Sequence, residues 1–208
     1  MLLDLLMVFI GYFVGSIPFS YIFPAFKGVD VRKIGSGNVG GTNALRASGS
    51  VVGALSMLAD ILKVFVIVVV ARAIGLDSFW VYFTGIAAVV GHDYPVYLKF
   101  VGGKGVAGSL GFVFAVVPLM GLEFIGIWLL LTIVTEYVSL SSMVGFLALV
   151  LTTVILRWWN LSFVLLILTA LIVYRHHSNI RRLVSGKENK TDVVKALKGL
   201  FNVGGDTR

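Results

Sequence analysis

Long apolar runs dominate this chain and leave it few ways to fold. Residues 2–23, about 54–74, about 79–98 and about 159–175 are each close to the length a bilayer demands, roughly 17–25 apolar residues per helical crossing. Residues 105–156 are almost continuously apolar, interrupted at 118–123 and at 135–142, and divide into three short spans, 105–121, 122–137 and 142–157. Charged residues make up 13% of the chain and the mean hydropathy is +0.99, against about 25% charge in a soluble domain. No stretch is left over for a separate soluble domain. The expectation is an all-α polytopic membrane helix bundle with seven transmembrane helices. Five spans with buried re-entrant pieces are the alternative. Gly, Ser and Thr scattered along the runs suit close helix packing in lipid.

Lysine and arginine fix the expected orientation. Loop 24–50 holds Lys27, Arg32, Lys33 and Arg46, and the 98–104 turn holds Lys99 and Lys104. Seven more basic residues follow Arg175, whereas the opposite side has only Arg72 and Arg157. Seven spans put all the basic regions on one face, which makes that face cytoplasmic, with the N-terminus outside and the C-terminus in the cytoplasm. Residues 1–23 read as the first span, because no basic region precedes the apolar run and no small-residue cleavage site follows it.

Three polar, glycine-rich clusters fall on that same face: GSGNVGGTNALR from residue 35, GHDYPVYLKFVGGKGVAG from residue 91 and RHHSNIRRL from residue 175. Ordinary connectors are variable and charged. Three Gly/Asn/His/basic clusters on one side instead point to a shared site for phosphate. Glycines let backbone N–H groups approach an anion, and Lys104 precedes a span whose first amides can meet the same oxyanion. Arg46 offers a bidentate fork, while Ser36, Asn38, Thr42 and Asn43 can hydrogen-bond hydroxyls or phosphate oxygens. Residues 35–40 match G-x-G-x-x-G, but no strand precedes them, so no dinucleotide site is read. The absence of cysteine removes disulfides and a thioester nucleophile.

Asp60 and Lys63 lie three apart on one helix face inside an apolar run. They read either as a self-neutralising pair or as support for the basic loop. Glu123 is expected at the outer interface, with Trp158 and Trp159 as an aromatic belt. Residues 1–188 form the membrane domain. Residues 189–208 are a basic tail, read either as an amphipathic helix on anionic lipid, with Val193, Val194, Leu197, Leu200 and Phe201 on one stripe, or as disordered.

The three clusters resemble the integral-membrane acyl-phosphate:glycerol-3-phosphate acyltransferases of bacterial phospholipid synthesis. The resemblance runs from about residue 10 to 188 and rests on GSGNVGGTN with Arg46 and Gly49, on GHDYPVYLKFVGGKGVAG, and on RHHSNIRRLVSGKE; YVSLSS at 137–142 and Asp60-x-x-Lys63 also fit. Departures are Gly41 and Gly108, where Ala and Thr are expected, Val101 in place of Lys, and Thr135–Glu136 in place of a basic pair. The resemblance implies acyl transfer from a long-chain acyl phosphate to the 1-hydroxyl of sn-glycerol 3-phosphate, in the bacterial cytoplasmic (inner) membrane, with the active site on the cytoplasmic face. It implies that Lys104, Ser36 and Arg46 clamp phosphate, helped by Gly37, Gly40, Gly102, Gly103 and Gly105, and that Asn38, Thr42 and Asn43 shape the first loop or touch substrate. His176 with Asn179 orients or deprotonates the glycerol hydroxyl. His92, His177, Ser139, Ser142, Asp60 and Lys63 support the site. The general base is either a histidine or the departing phosphate. The expected partners are the two substrates and the lipid bilayer, with no nucleic acid; the oligomeric state is left open, a monomer being compatible with the sequence.

Other classes fit less well. Soluble-type glycerolipid acyltransferases need His and Asp five positions apart, and here Tyr97, Arg181 and Arg182 stand at those positions. No aspartate cluster of the CDP-alcohol phosphotransferase kind is present. A transporter or flippase is the non-enzyme alternative, but it favours a midplane site between broken helices. No metal or cofactor is expected, because the cytoplasmic clusters are poor in carboxylates.

Overall fold

A computed structural model describes residues 1–192. Among them the chain is all-helical, with helices α1 (Leu2–Gly15), α2 (Phe19–Ala25), α3 (Gly41–Ser48), α4 (Ser50–Ala73), α5 (Ser78–Asp93), α6 (Val106–Val116), α7 (Pro118–Thr135), α8 (Val138–Ile155), α9 (Trp159–Arg175) and α10 (His177–Val184). The amphipathic-tail expectation covers residues 189–201; of these 189–192 are described and not helical, and the apolar stripe from Val193 onward lies outside the described residues.

Helices occupy all seven expected apolar stretches, yet by length and composition four of them can cross a membrane: Leu2–Ala25, Ser50–Ala73, Pro118–Thr135 and Val138–Ile155. A fifth appears if α9 and α10, bent by 62°, count as one. The bundle is an integral, multi-pass membrane fold. Its outer surface fits that solvent: Phe9, Leu58, Leu62, Ile133, Leu151 and Phe163 are exposed, as hydrocarbon permits.

Several boundaries fall elsewhere than the sequence suggested, each for a local reason. The break expected across 118–123 sits at Val117, because Pro118 occupies the first helical position of α7, where its missing N–H costs nothing. The 135–142 turn shrinks to Glu136 and Tyr137, with Glu136 in the left-handed region (φ 61°) closing α7. The 79–98 run stops being α-helix at Asp93. Pro95 follows, disfavouring helix at Tyr94. The first polar loop contains an unexpected helix: GTNALRAS forms α3, seated on α4.

Close approach of backbones holds the bundle together. Helix α1 packs on α5, α4 on α6, and α7 on α8. A Cβ added at Gly15 would stand 1.9 Å from the Ala88 carbonyl oxygen, and one at Gly91 would stand 2.2 Å from that of Tyr12. Only glycine permits that separation, as expected where packing rather than water expulsion binds helices. Hydroxyls inside the bundle donate back along their own helix, as Ser56 does to the Val52 carbonyl (2.7 Å) and Thr169 to that of Leu165 (2.7 Å), so few polar atoms face hydrocarbon unpaired. The main apolar core, with Phe112, Phe146, Leu165 and Ile172 fully buried, joins α1 and α4 to α9, and a smaller one of Val31, Val39 and Ala44 lies under the first loop.

Candidate active site

The polar clusters meet at one end of the bundle. A cavity of about 300 Å³ is bordered there by Ser36, Arg46, Lys104, Ser139, His176 and Asn179. It continues between helices into an apolar part lined by Met57, Ile61, Leu110, Phe124, Trp128 and Leu129. A polar mouth with a greasy inner groove is the shape an amphiphile needs.

Each wall has a traceable origin. In the first loop, Asn43 on α3 is buried and spends its side chain on bracing. Its Oδ1 accepts from the Ser36 N–H (3.0 Å), and its Nδ2 donates to the carbonyls of Val31 (2.8 Å) and Ile34 (3.0 Å). Those bonds fold residues 31–36 against α3 and leave Ser36, Asn38, Gly40 and Thr42 at the cavity edge. Arg46, one turn further along α3, points into the cavity and donates from an Nη to the Thr191 hydroxyl.

In the second loop Lys104 borders the cavity and donates to Asn179 Oδ1. Burial pulls its ammonium down to about 8, helped by repulsion from Arg182 and opposed by Glu188. Gly102, Gly103 and Gly105, expected to present amides to phosphate, do not border the cavity. They pack behind it. The Gly103 N–H already donates to the His92 carbonyl (3.0 Å), and a Cβ there would sit 2.1 Å from His92 Nε2. Arg175 donates to the Gly103 carbonyl (2.8 Å) and lies over the Tyr94 ring, so these glycines tie the loop to α5 and α9. Gly37 likewise lies off the cavity; its φ of +70° makes a turn.

His176 follows α9 and is buried. Its Nδ1 lies 2.8 Å from the Ile172 carbonyl, which can only accept, so Nδ1 carries the proton and Nε2 is left as an acceptor. Burial first, then the cations of Lys104 and Arg175, opposes a charged ring there. His177 is exposed, turned back to the Tyr174 carbonyl, and does not border the cavity. His92 does border it, from below. Its Nδ1 accepts from Lys63 Nζ (3.1 Å), which also donates to Asp60 (2.7 Å) and to the Ile17 carbonyl (2.7 Å), while Ser20 donates to Asp60 (2.5 Å). Asp60 and Lys63 form a buried pair under the site and touch the cavity only through His92. From the α7–α8 side, Ser142 accepts from the Trp128 indole (3.1 Å).

Glu188 is the residue sequence reasoning missed, although it closes the motif RHHSNIRRLVSGKE. Its carboxylate borders the cavity and accepts from Asn179 (2.5 Å), Ser139 (2.9 Å) and Arg182 (2.7 Å). Burial raises its pKa, but these three donors outweigh that and hold it below the usual glutamate value. The available signal was charge balance, since one acid among so many converging cations has to be paired.

Among the described residues no group of three or more His, Cys, Asp or Glu could hold a metal ion. The sequence model of the glycerol-3-phosphate acyltransferase family matches residues 5–186. Glycerol-3-phosphate acyltransferase of Pseudothermotoga lettingae is 46% identical over 191 residues, 91% of this chain and 94% of that one. Glycerol-3-phosphate acyltransferase 2 of Thermotoga maritima is 46% identical over 187 residues, 89% of this chain and 95% of that one. The chain is also similar to the crystal structure of an integral membrane glycerol 3-phosphate acyltransferase in its glycerol 3-phosphate form, with 41% identity, a TM-score of 0.87 and coverage of 93% of this chain and 98% of that one. Its lysophosphatidic acid form gives a TM-score of 0.86.

Proposed function

The chain belongs to the glycerol-3-phosphate acyltransferase family, and from that premise we propose that it moves a fatty acyl group from an acyl phosphate to the 1-hydroxyl of glycerol 3-phosphate. The product is lysophosphatidic acid. One observation carries the reading: a single cavity joins Arg46, Lys104, His176 and Asn179 to an apolar groove between helices. The groove takes the acyl tail, and the cationic mouth takes the two phosphates.

An acyl phosphate is already activated, so the protein has mainly to place the reactants and neutralise charge. Lys104 and Arg46 hold phosphate, with Ser36 and Thr42 at the rim. His176 Nε2 accepts the glycerol hydroxyl's hydrogen bond and aims its oxygen at the acyl carbon. The new C–O ester bond forms, the C–O bond to phosphate breaks, and the departing phosphate takes the proton. Burial and the nearby cations make His176 a poorer proton store than a leaving phosphate dianion.

In the membrane we propose seven crossings, with the basic end and the active site facing the cytoplasm and the chain in a bacterial inner membrane. Helix α6 has 11 residues, about 17 Å at 1.5 Å per residue, and is the shortest of the proposed crossings, with the 99–105 loop before it at the cytoplasmic face. The charge asymmetry supports this orientation. Because the chain lacks cysteine, Ser78→Cys is expected to react with an impermeant thiol reagent from outside intact cells, and Ser185→Cys only after lysis.

The chemistry is tested with purified protein, palmitoyl phosphate and glycerol 3-phosphate, with released phosphate followed in the presence of a chelator. Turnover is expected. Turnover with acyl-CoA or acyl carrier protein and none with acyl phosphate overturns the donor assignment.

A further inference from the structure

Beyond the family match, which ends at residue 186, the chain does not leave the site. Gly186 (φ +66°) reverses it after α10, and the Lys187 N–H donates back to the Arg182 carbonyl (2.8 Å). Residues 188–191 then cross the cavity mouth. Glu188 and Asn189 border the cavity. Further along, the Thr191 N–H donates to the Glu136 carbonyl (2.9 Å) and Lys190 Nζ pairs with the Glu136 carboxylate (2.7 Å). Glu136, left-handed at φ 61°, so offers both its backbone and its side chain to this segment. It is the acid found where the resemblance expected a base. The Lys190 pair is largely exposed and contributes little alone. Thr191 is buried, and its hydroxyl accepts from Arg46.

We propose that residues 188–191 are a strap across the active-site mouth and that Thr191 is a positioning residue, holding the Arg46 guanidinium ready for the substrate phosphate. A guanidinium has five donors. Thr191 takes one edge and leaves the rest toward the cavity. Without that acceptor, a long arginine side chain samples many rotamers and must be ordered when phosphate binds. The anchor on Glu136 keeps the hydroxyl itself still. The inference rests on Arg46 binding phosphate, as proposed above.

The test uses the full-length protein with acyl phosphate saturating and glycerol 3-phosphate varied. Thr191→Val keeps the shape and removes the acceptor. It is expected to raise KM for glycerol 3-phosphate about fivefold, the size of one hydrogen bond, with kcat nearly unchanged. Thr191→Ser is expected to restore KM, and in an Arg46→Ala background Thr191→Val should add nothing. If Arg46→Ala raises KM while Thr191→Val does not, the strap role falls and the phosphate clamp stands. If Arg46→Ala leaves KM unchanged, the clamp falls and the positioning role falls with it. An equal rise from Thr191→Val with and without Arg46, or failure of Thr191→Ser to restore KM, makes Thr191 merely structural and overturns the proposal.

Discussion

Among the described residues the bundle has a cavity at each end, and the smaller one is the site proposed above. At the end away from the polar clusters, a depression of about 700 Å³ is bordered by Arg72, Arg157, Tyr82, Trp158 and Asn160. The proposed active-site cavity is under half that volume. Both contain two cations or more and some aromatic surface. They differ in how the charges are held. Arg72 spends an Nη on the Ala115 carbonyl, and Arg157 stands exposed. In the smaller cavity Lys104 is pulled down to about 8 by burial, and Asn179, Ser139 and Arg182 already converge on one carboxylate. Cations at a membrane surface are common because the interface tolerates them. Cations that are partly desolvated and pre-aimed are where electrostatic catalysis becomes strong.

The largest effect follows from that contrast. Lys104→Ala is expected to lower kcat/KM about 10²–10³-fold, the loss typical of removing one preorganised donor at a developing charge. Arg157→Ala, an equal loss of charge at the other end, is expected to stay within about twofold, as exposed cations contribute little. Steady-state kinetics of the two variants checks both, and a tenfold loss in Arg157→Ala would erase the distinction between the cavities.

A pH series sharpens the comparison at the scale of about tenfold. Lys104, with its pKa lowered to about 8, is charged below that value and neutral above it. KM for glycerol 3-phosphate should therefore rise with pH above about 8, by at most about tenfold per unit since one proton is involved. Lys104→Arg should abolish this alkaline limb, because a guanidinium does not titrate there. His176→Ala should lower kcat about tenfold, through lost orientation, and leave unchanged any fall of kcat toward acid pH, an acid limb that protonation of the phosphate acceptor would set. Loss of the acid limb in that variant would instead make His176 the base.

Much of this was legible in the sequence, and the exceptions share a cause. Helices occupy the seven apolar runs, but by length and hydropathy only four of them, or five with the bent pair, can cross a membrane among the described residues. Cluster chemistry located Ser36, Arg46, Lys104, His176 and Asn179 at one cavity. The glycines were misjudged. Gly102, Gly103 and Gly105 were read as open to an anion, but what they serve is contact with His92, Asp93 and Pro95, and those neighbours are set by tertiary packing rather than by spacing. Of the two roles open to Asn43, three local bonds favour shaping the loop, although the residue also borders the cavity. His177 and His176 are adjacent in sequence, and only the break between α9 and α10 decides which faces inward. Glu188 was overlooked because its importance comes from partners 6 to 49 positions away.

Two glycines bring the contrast down to its smallest test. At Gly103 an added Cβ has no room, and His92, already fixed by Lys63, would have to give way. Gly103→Ala is expected to cost about 1–3 kcal/mol as overpacking and to raise KM for glycerol 3-phosphate several-fold by shifting Lys104. Gly126, exposed on α7, has nothing within 4 Å of its added Cβ. There alanine removes backbone freedom from the unfolded chain and costs no contact, so Gly126→Ala should stabilise by about 0.5–1 kcal/mol and leave kcat and KM alone. Thermal unfolding in detergent, read beside kinetics, separates the two. Equal destabilisation by both would mean that the packed loop behind Lys104 is no tighter than the lipid-facing surface of α7.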